Sequence, residues 1–228
     1  MVEIAYIQPL TLIDYPGKLA AIVFTQGCNF NCRYCYNSQL IPILQGKIDK
    51  SSAATFFSSR SGQLEGVVIT GGEPTIHRGL PELCSFLKEL GYSVKLDTNG
   101  SNPSMLKMLI DRELVDYVAM DYKAPLEKYS LVAGVEVDTS NISESAEAIM
   151  SSGLQYELRT TVARELLTLD DIVSIAKEIK GAELYVIQSV RSPPDKNVKF
   201  TPYSSSELES IEGELLKYVK RVKMRYDR

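Results

Sequence analysis

Six short runs rich in Val, Ile, Tyr and Leu alternate along this chain with segments of helical spacing, and this alternation constrains the fold more than any other feature. The runs are Ala21–Thr25, Gly66–Thr70, Ser93–Asp97, Tyr117–Asp121, Tyr156–Thr161 and Leu184–Gln188. Leu80, Leu83, Cys84, Leu87 and Leu90 recur at intervals of three and four and stop at Gly91, a residue suited to the left-handed end of a helix. Met105, Leu106, Leu109 and Ile110 repeat the pattern after Ser101-Asn102-Pro103, a turn and helix start. Ile142–Met150, Leu169–Ile179 and Leu208–Val219 continue it, and Ala53, Phe56 and Phe57 make a short helix of the serine-rich stretch Ser51–Ser61. Strands alternating with helices imply right-handed crossovers and a parallel sheet. A closed eight-stranded barrel takes about 250 residues, and this chain has 228. Six units therefore predict an α/β fold, an incomplete (β/α)6 parallel barrel, with a doubly wound sheet as the structural alternative. No repeat or linker divides the chain. The expected organisation is one domain over 1–228, with an N-terminal segment 1–18, a core of about 19–190 and a C-terminal helix over 200–228.

Charge and hydropathy narrow the function classes. The longest strictly apolar run, Leu19 to Phe24, is far below the ~18 residues that cross a bilayer. Residues 1–10 carry an acid and no basic stretch, so no secretory signal is expected. Twenty-five basic against twenty-nine acidic residues leave −4, which offers no field for nucleic acid or anionic membrane. A soluble, cytoplasmic protein is expected. There, four cysteines with three crowded at Cys28, Cys32 and Cys35 suggest metal binding rather than a disulfide framework. The single histidine, His77, excludes His-rich zinc catalysis and two-His facial sites.

In either fold, chemistry belongs at the carboxyl ends of the strands. The unusual residues fall there. After the first strand comes Gln26-Gly27-Cys28-Asn29-Phe30-Asn31-Cys32-Arg33-Tyr34-Cys35, a C-x3-C-x2-C spacing. Three thiolates this close can grip three corners of one compact iron–sulfur cluster and leave one iron open. A zinc site would need a fourth ligand, for which Cys84 and His77 are the soft candidates, and Cys84 fits the apolar stripe of its helix. After the second strand, Gly71 and Gly72 allow close approach of a ligand, Glu73 can accept from a cationic amine, and Pro74 fixes the turn. Asp97-Thr98-Asn99-Gly100 and Asp121-Tyr122-Lys123 follow the third and fourth strands. The two carboxylates could bind a cation or a ligand's polar groups, or Lys123 could neutralise one of them instead. Arg159 and Gln188 add polar groups near the ends of the last two strands.

The C-x3-C-x2-C loop with Tyr34 before its last cysteine, followed by Gly71-Gly72-Glu73-Pro74, resembles the radical S-adenosylmethionine (SAM) superfamily. Asp97-Thr98-Asn99-Gly100 and Asp121-Tyr122-Lys123 resemble its glycyl-radical-enzyme activases, such as pyruvate formate-lyase activating enzyme. The opening Gln8-Pro9-Leu10-Thr11-Leu12-Ile13-Asp14-Tyr15-Pro16-Gly17-Lys18 is most similar to the anaerobic ribonucleoside-triphosphate reductase activating branch. The resemblance runs from about residue 5 to residue 190. It implies that Cys28, Cys32 and Cys35 bind a [4Fe–4S] cluster whose fourth iron takes the amino and carboxylate groups of SAM. It places Tyr34 against the adenine, and Gly71, Gly72 and Glu73 at the methionine amine. Asp97 and Asp121 would hold a monovalent cation beside the SAM carboxylate, with Thr98 and Ala119 offering carbonyls and Lys123 and Arg159 near the carboxylate or ribose.

Reductive cleavage of SAM would then yield a 5′-deoxyadenosyl radical, with no catalytic side chain beyond the cluster and SAM. The implied partners are a glycyl radical enzyme, on which the radical is installed, and a flavodoxin- or ferredoxin-type electron donor. No cysteine group follows Cys35, so no ferredoxin-like insert is expected. A radical SAM enzyme acting on a small molecule, such as a pterin-derived carboxylate in deazaguanine synthesis, shares all this chemistry. A non-catalytic iron–sulfur carrier or zinc module would leave Gly71-Gly72-Glu73-Pro74 and the strand-end carboxylates unexplained. The basic ending (Lys217, Lys220, Arg221, Lys223, Arg225, Arg228) reads as the solvated face of a terminal helix.

Overall fold

The computed structural model describes residues 1–193 and 198–226. The fold is α/β, with a parallel-dominated sheet of eight strands taken in chain order. All six expected strands are present, with ends within one residue of those read from the sequence. Among the described residues no helix is long and apolar enough to cross a membrane.

The described residues gather into two compact units. The first comprises Met1–Asn29, Gln39–Thr98 and Asn102–Val118. It contains β1 (Ile4–Thr11), β2 (Ala20–Thr25), α1 (Lys50–Arg60), β3 (Gly66–Gly71), α2 (Leu80–Glu89), β4 (Ser93–Thr98) and α3 (Pro103–Asp111). Parallel pairing aligns Val23 with Ile69 and Ile69 with Leu96. β2 and β3 are near-continuous apolar runs because both of their faces are buried. α1 and α3 begin where side chains satisfy the free amides of the first turn: Asp49 accepts from Ser52 N and Asn102 from Met105 N. The α2 stripe ends as read, with Gly91 at φ 86°.

β1 is a strand the periodicity did not predict. It pairs antiparallel with β2 and breaks register twice, between Ile4 and Tyr6 and between Gln8 and Thr11. Pro9 and these irregularities hide the two-residue alternation that would mark a strand. The turn after β1 brings Tyr15 against the start of β3, where a Cβ on Gly66 would lie 2.9 Å from the Tyr15 ring.

The second unit comprises Phe30–Ser38, Asn99–Ser101 and Ala119–Arg228. It takes in the end of β5 (Tyr117–Asp121), then α4 (Tyr129–Ala133), α5 (Thr139–Ser151), β6 (Gln155–Val162), α6 (Leu169–Glu178), β7 (Tyr185–Ser189), α7 (Ser205–Leu215) and β8 (Val222–Arg225). Here the structure corrects the sequence reading. The C-terminal helix does not run over 200–228: it ends at Leu215, and Val222–Arg225 forms a strand parallel to β7. The turn between them is held from below, since Lys220 N donates to Ala182 O and Gly181 N to Tyr218 O. Arg228 lies outside the described residues.

The basic residues of this ending do not share one helical face. Lys217 pairs with Glu214 and Lys220 with Glu183, whereas Arg225 turns inward and grips Glu157 through two bonds of 3.0 and 2.6 Å. The Glu157 side chain is only 2% exposed, so its charge depends on this partner and on Arg159, 3.7 Å away. Removing one member of a buried pair typically costs about 3–5 kcal/mol, and the nearby Arg159 keeps the expected loss for Arg225→Met near the lower end, about 3 kcal/mol. Urea unfolding checks this, and adding Glu157→Gln should recover most of the loss. An unchanged midpoint in the single variant would remove Arg225 from the core.

Candidate active site

In the first unit the site is built from backbone tied to backbone. The chain leaving β2 is clamped before and at the first cysteine: Gln26 N donates to Glu3 O (2.8 Å), Gly27 N to Leu40 O (2.8 Å) and Cys28 N to Ile41 O (3.0 Å). The loop after β3 closes on the same segment, with Gly72 N donating to Thr25 O at 2.9 Å and Glu73 N to Gly27 O at 2.8 Å. The two glycines make this approach possible. A Cβ on Gly71, at φ 119°, would lie 2.2 Å from Thr25 N, and one on Gly72 would lie 2.0 Å from Gly27 O. At these two positions the chain's own backbone takes the space that a side chain would need.

Glu73 is held firmly in this turn. It is 1% exposed, and its Oε1 already accepts from Thr75 N (3.0 Å), Thr75 Oγ1 (2.5 Å) and Thr98 Oγ1 (2.7 Å). This oxygen caps the turn Pro74–Ile76 and ties it to the end of β4. Asp97, two residues after Lys95 on β4, is ion-paired with the Lys95 ammonium, whose side chain is 2% exposed.

The remaining candidate residues belong to the second unit. Asn31 N donates to Ala133 O at 2.9 Å, and Gly134 at φ 71° lets the two segments meet, since a Cβ there would lie 2.2 Å from Asn31 O. Phe30 is buried with its ring edge-on to Tyr129 at 6.4 Å. Cys35 N donates to Cys32 O at 3.1 Å, a tight turn between two cysteines. Lys123 sits with its ammonium 6.0 Å from the centre of the Tyr34 ring and 3.3 Å from Asp121 Oδ2. Arg159 Nε donates to Asp121 Oδ1 at 2.8 Å. Tyr129, which the sequence reading overlooked, fixes this turn: its hydroxyl donates to Asp121 O and accepts from Lys123 N, each at 3.2 Å. Gln188, near the end of β7, accepts from Arg225 Nη1 at 3.1 Å.

The charges here support one another. Burial raises the Asp121 carboxyl, but Arg159 and Lys123 outweigh it and hold that group at about 2. Burial disfavours the Lys123 charge, yet Tyr34, Asp121 and Cys32 outweigh it and keep the ammonium protonated. Burial likewise pushes the Cys32 thiol up, while Lys123 works in the opposite direction, toward the thiolate that binds metal.

The donor set fits an iron–sulfur cluster. Cys28, Cys32 and Cys35 form no disulfide and are soft donors within eight residues of chain. Cys84 is fully buried in the α2 stripe, and burial pushes its thiol up to about 12, as befits a packed small hydrophobe. His77 is buried as well, which pushes its imidazole down.

Comparison with known proteins agrees with this chemistry. Residues 22–162 match the Radical SAM superfamily. A Methanocaldococcus jannaschii protein named as a glycyl-radical enzyme activating enzyme is 33% identical over 224 residues, 95% of this chain and 92% of that protein. A 7-carboxy-7-deazaguanine synthase of Aquifex aeolicus is 35% identical over 85 residues, 37% of this chain and 38% of the synthase. Among solved structures, a radical SAM methyltransferase from Sphaerobacter thermophilus shares the fold, with a TM-score of 0.74 at 15% identity over 96% of this chain and 69% of that one. The chain belongs to the radical SAM superfamily, whose enzymes use a [4Fe–4S] cluster and S-adenosylmethionine.

Proposed function

We propose that this enzyme is an activase that installs a glycyl radical on a partner protein. The observation that carries the reading is the 33% identity, over 95% of this chain, with a protein named as an activating enzyme. When bound, the cluster and SAM supply one-electron reductive cleavage and a 5′-deoxyadenosyl radical that abstracts hydrogen. The work of the chain is to hold and orient. Cys28, Cys32 and Cys35 hold the cluster. Tyr34, stiffened by Lys123, packs against the adenine; Gly71, Gly72 and Glu73 receive the methionine amine. Thr98 and Asp97 flank the methionine end, and Lys123 and Arg159 set positive charge toward the carboxylate. A flavodoxin- or ferredoxin-type protein in the cytoplasm is the proposed electron donor.

Deuterium transfer tests this reading. A peptide copied from the glycine loop of a glycyl radical enzyme, deuterated at the glycine α-carbon, is incubated with reduced enzyme and SAM. Label should appear in 5′-deoxyadenosine. The local 35% identity with 7-carboxy-7-deazaguanine synthase motivates the second reading, so a pterin-derived carboxylate is run alongside. Label arriving only from the pterin would overturn the activase.

A further inference from the structure

We infer that Thr161 and Gln188, side by side at the carboxyl ends of β6 and β7, form a subsite for the backbone N–H and C=O of one residue of the protein substrate. The inference deepens the activase reading and rests on it. Parallel pairing aligns Thr161 with Gln188 and Gln188 with Arg225, so these three side chains share one face of the sheet. Glu157 and Arg159, at intervals of two along β6, lie on that face as well. The opposite face carries Leu158, Thr160, Tyr185 and Ile187, all buried.

The two faces treat their polar groups differently. On the buried face the Thr160 hydroxyl donates to Tyr122 O at 2.6 Å and accepts from the Tyr185 hydroxyl at 2.9 Å. On the other face Thr161 is half-buried, and its hydroxyl meets no hydrogen-bond partner among the described residues. Gln188 is half-buried too, and its amide is set one way round. Arg225 Nη1 donates to Gln188 Oε1 at 3.1 Å, and a guanidinium has only donors, so the atom facing it must be the amide oxygen. Arg225 is itself fixed by its two bonds to the buried Glu157. The Gln188 NH2 is therefore turned away from Arg225, and among the described residues it has no acceptor.

A fixed donor and a hydroxyl able to accept thus stand on neighbouring strands about 4.8 Å apart. In extended backbone the N–H and C=O of one residue point the same way, as in a strand pair that exchanges both bonds. The Gln188 NH2 suits that carbonyl and the Thr161 hydroxyl that N–H. Neither group carries a charge, so the pair suits an uncharged backbone segment rather than a carboxylate, which favours a guanidinium. Arg159, two residues before Thr161, donates through Nε to Asp121 Oδ1 at 2.8 Å, so the subsite adjoins groups proposed to face SAM. Contacts to backbone alone leave room for a residue without a side chain, which a loop carrying the target glycine requires.

The test separates peptide binding from SAM binding. The glycine-deuterated loop peptide is titrated into reduced, cluster-loaded enzyme at saturating SAM, and label transfer gives kcat and the KM for peptide. Equilibrium dialysis of labelled SAM gives its affinity. Thr161→Val should raise the peptide KM about tenfold, the size of one hydrogen bond, with kcat lowered less than about threefold. Gln188→Glu keeps an oxygen for Arg225 but turns an acceptor toward the substrate carbonyl, so its KM should rise at least about tenfold. A Gln188 that serves only to pack Arg225 would tolerate this change. SAM affinity should stay within about twofold in both variants. If Gln188→Glu does not fold, Thr161→Val decides alone. An unchanged peptide KM overturns the inference, and a loss of SAM affinity without one in peptide KM overturns it by giving the pair to SAM. A wild type that takes no label from the peptide overturns the activase reading and this inference with it. Label transfer by the wild type with unaffected variants sinks this inference alone.

Discussion

Alanine at Cys28, Cys32 or Cys35 should abolish the cluster, and SAM cleavage should fall by at least about a thousandfold, because the chemical step has no other electron source. On the proposed reading three thiolates would hold three irons, and among the described residues neither Cys84 nor His77 stands ready to replace one. Cys84 is shut inside the α2 stripe with its thiol pushed up to about 12, and His77 is buried. Cys84→Ala therefore provides the contrast: it should keep about four irons per chain and lose only about 1 kcal/mol of packing. Iron and sulfide content of anaerobically reconstituted protein decides the matter, together with 5′-deoxyadenosine yield. Full iron in Cys32→Ala would sink the three-cysteine site. Loss of iron in Cys84→Ala would revive a four-cysteine one.

Gly72→Ala should be nearly as damaging without touching a ligand atom directly. The new methyl would sit 2.0 Å from Gly27 O and 3.0 Å from Leu40 O, both backbone atoms. Neither can rotate away like a side chain. Relief requires parting the β3 loop from the segment that leads into Cys28, and with it the bond from Glu73 N to Gly27 O. Overpacking of this kind costs about 1–3 kcal/mol when side chains can adjust, and backbone on both sides puts this site at or above the upper end. SAM affinity should fall by about a hundredfold, equivalent to about 2.7 kcal/mol, with a lower melting temperature. Gly153→Ala is the control for backbone strain, because it has a positive φ, 76°, and open space around its Cβ, whereas Gly72 has the close approach without a positive φ. That variant should cost about 1 kcal/mol at most and leave SAM binding alone. A Gly72→Ala enzyme no more affected than this control would show that the close approach to Gly27 O is not what requires glycine there.

The amino-acid sequence by itself determined the α/β class, six of the strands, the stop of α2 at Gly91 and the crowding of three cysteines. These are local properties. An apolar run bounded by turn residues, a stripe ending at Gly91 and a C-x3-C-x2-C spacing each lie within about ten residues of chain. The tertiary structure decided what depends on neighbours distant in sequence. β1 was hidden by Pro9 and its irregular register, and it exists because β2 offers it an edge. β8 has four residues, too few for a pattern, and β7 draws it out of the expected helix. The same division runs through the site. Glycines at 71 and 72 and the carboxylate of Glu73 were visible as residue types. That the glycines admit the backbone of Thr25 and Gly27, and that Glu73 gathers two threonines, follows only from parallel packing of β2, β3 and β4. Lys95 came closest to being legible, since a lysine two residues before Asp97 in an apolar strand must share its face. Its burial against Tyr117 was a matter for the folded chain alone, because whether a charged group in a strand meets water or a partner depends on what the rest of the protein places over it.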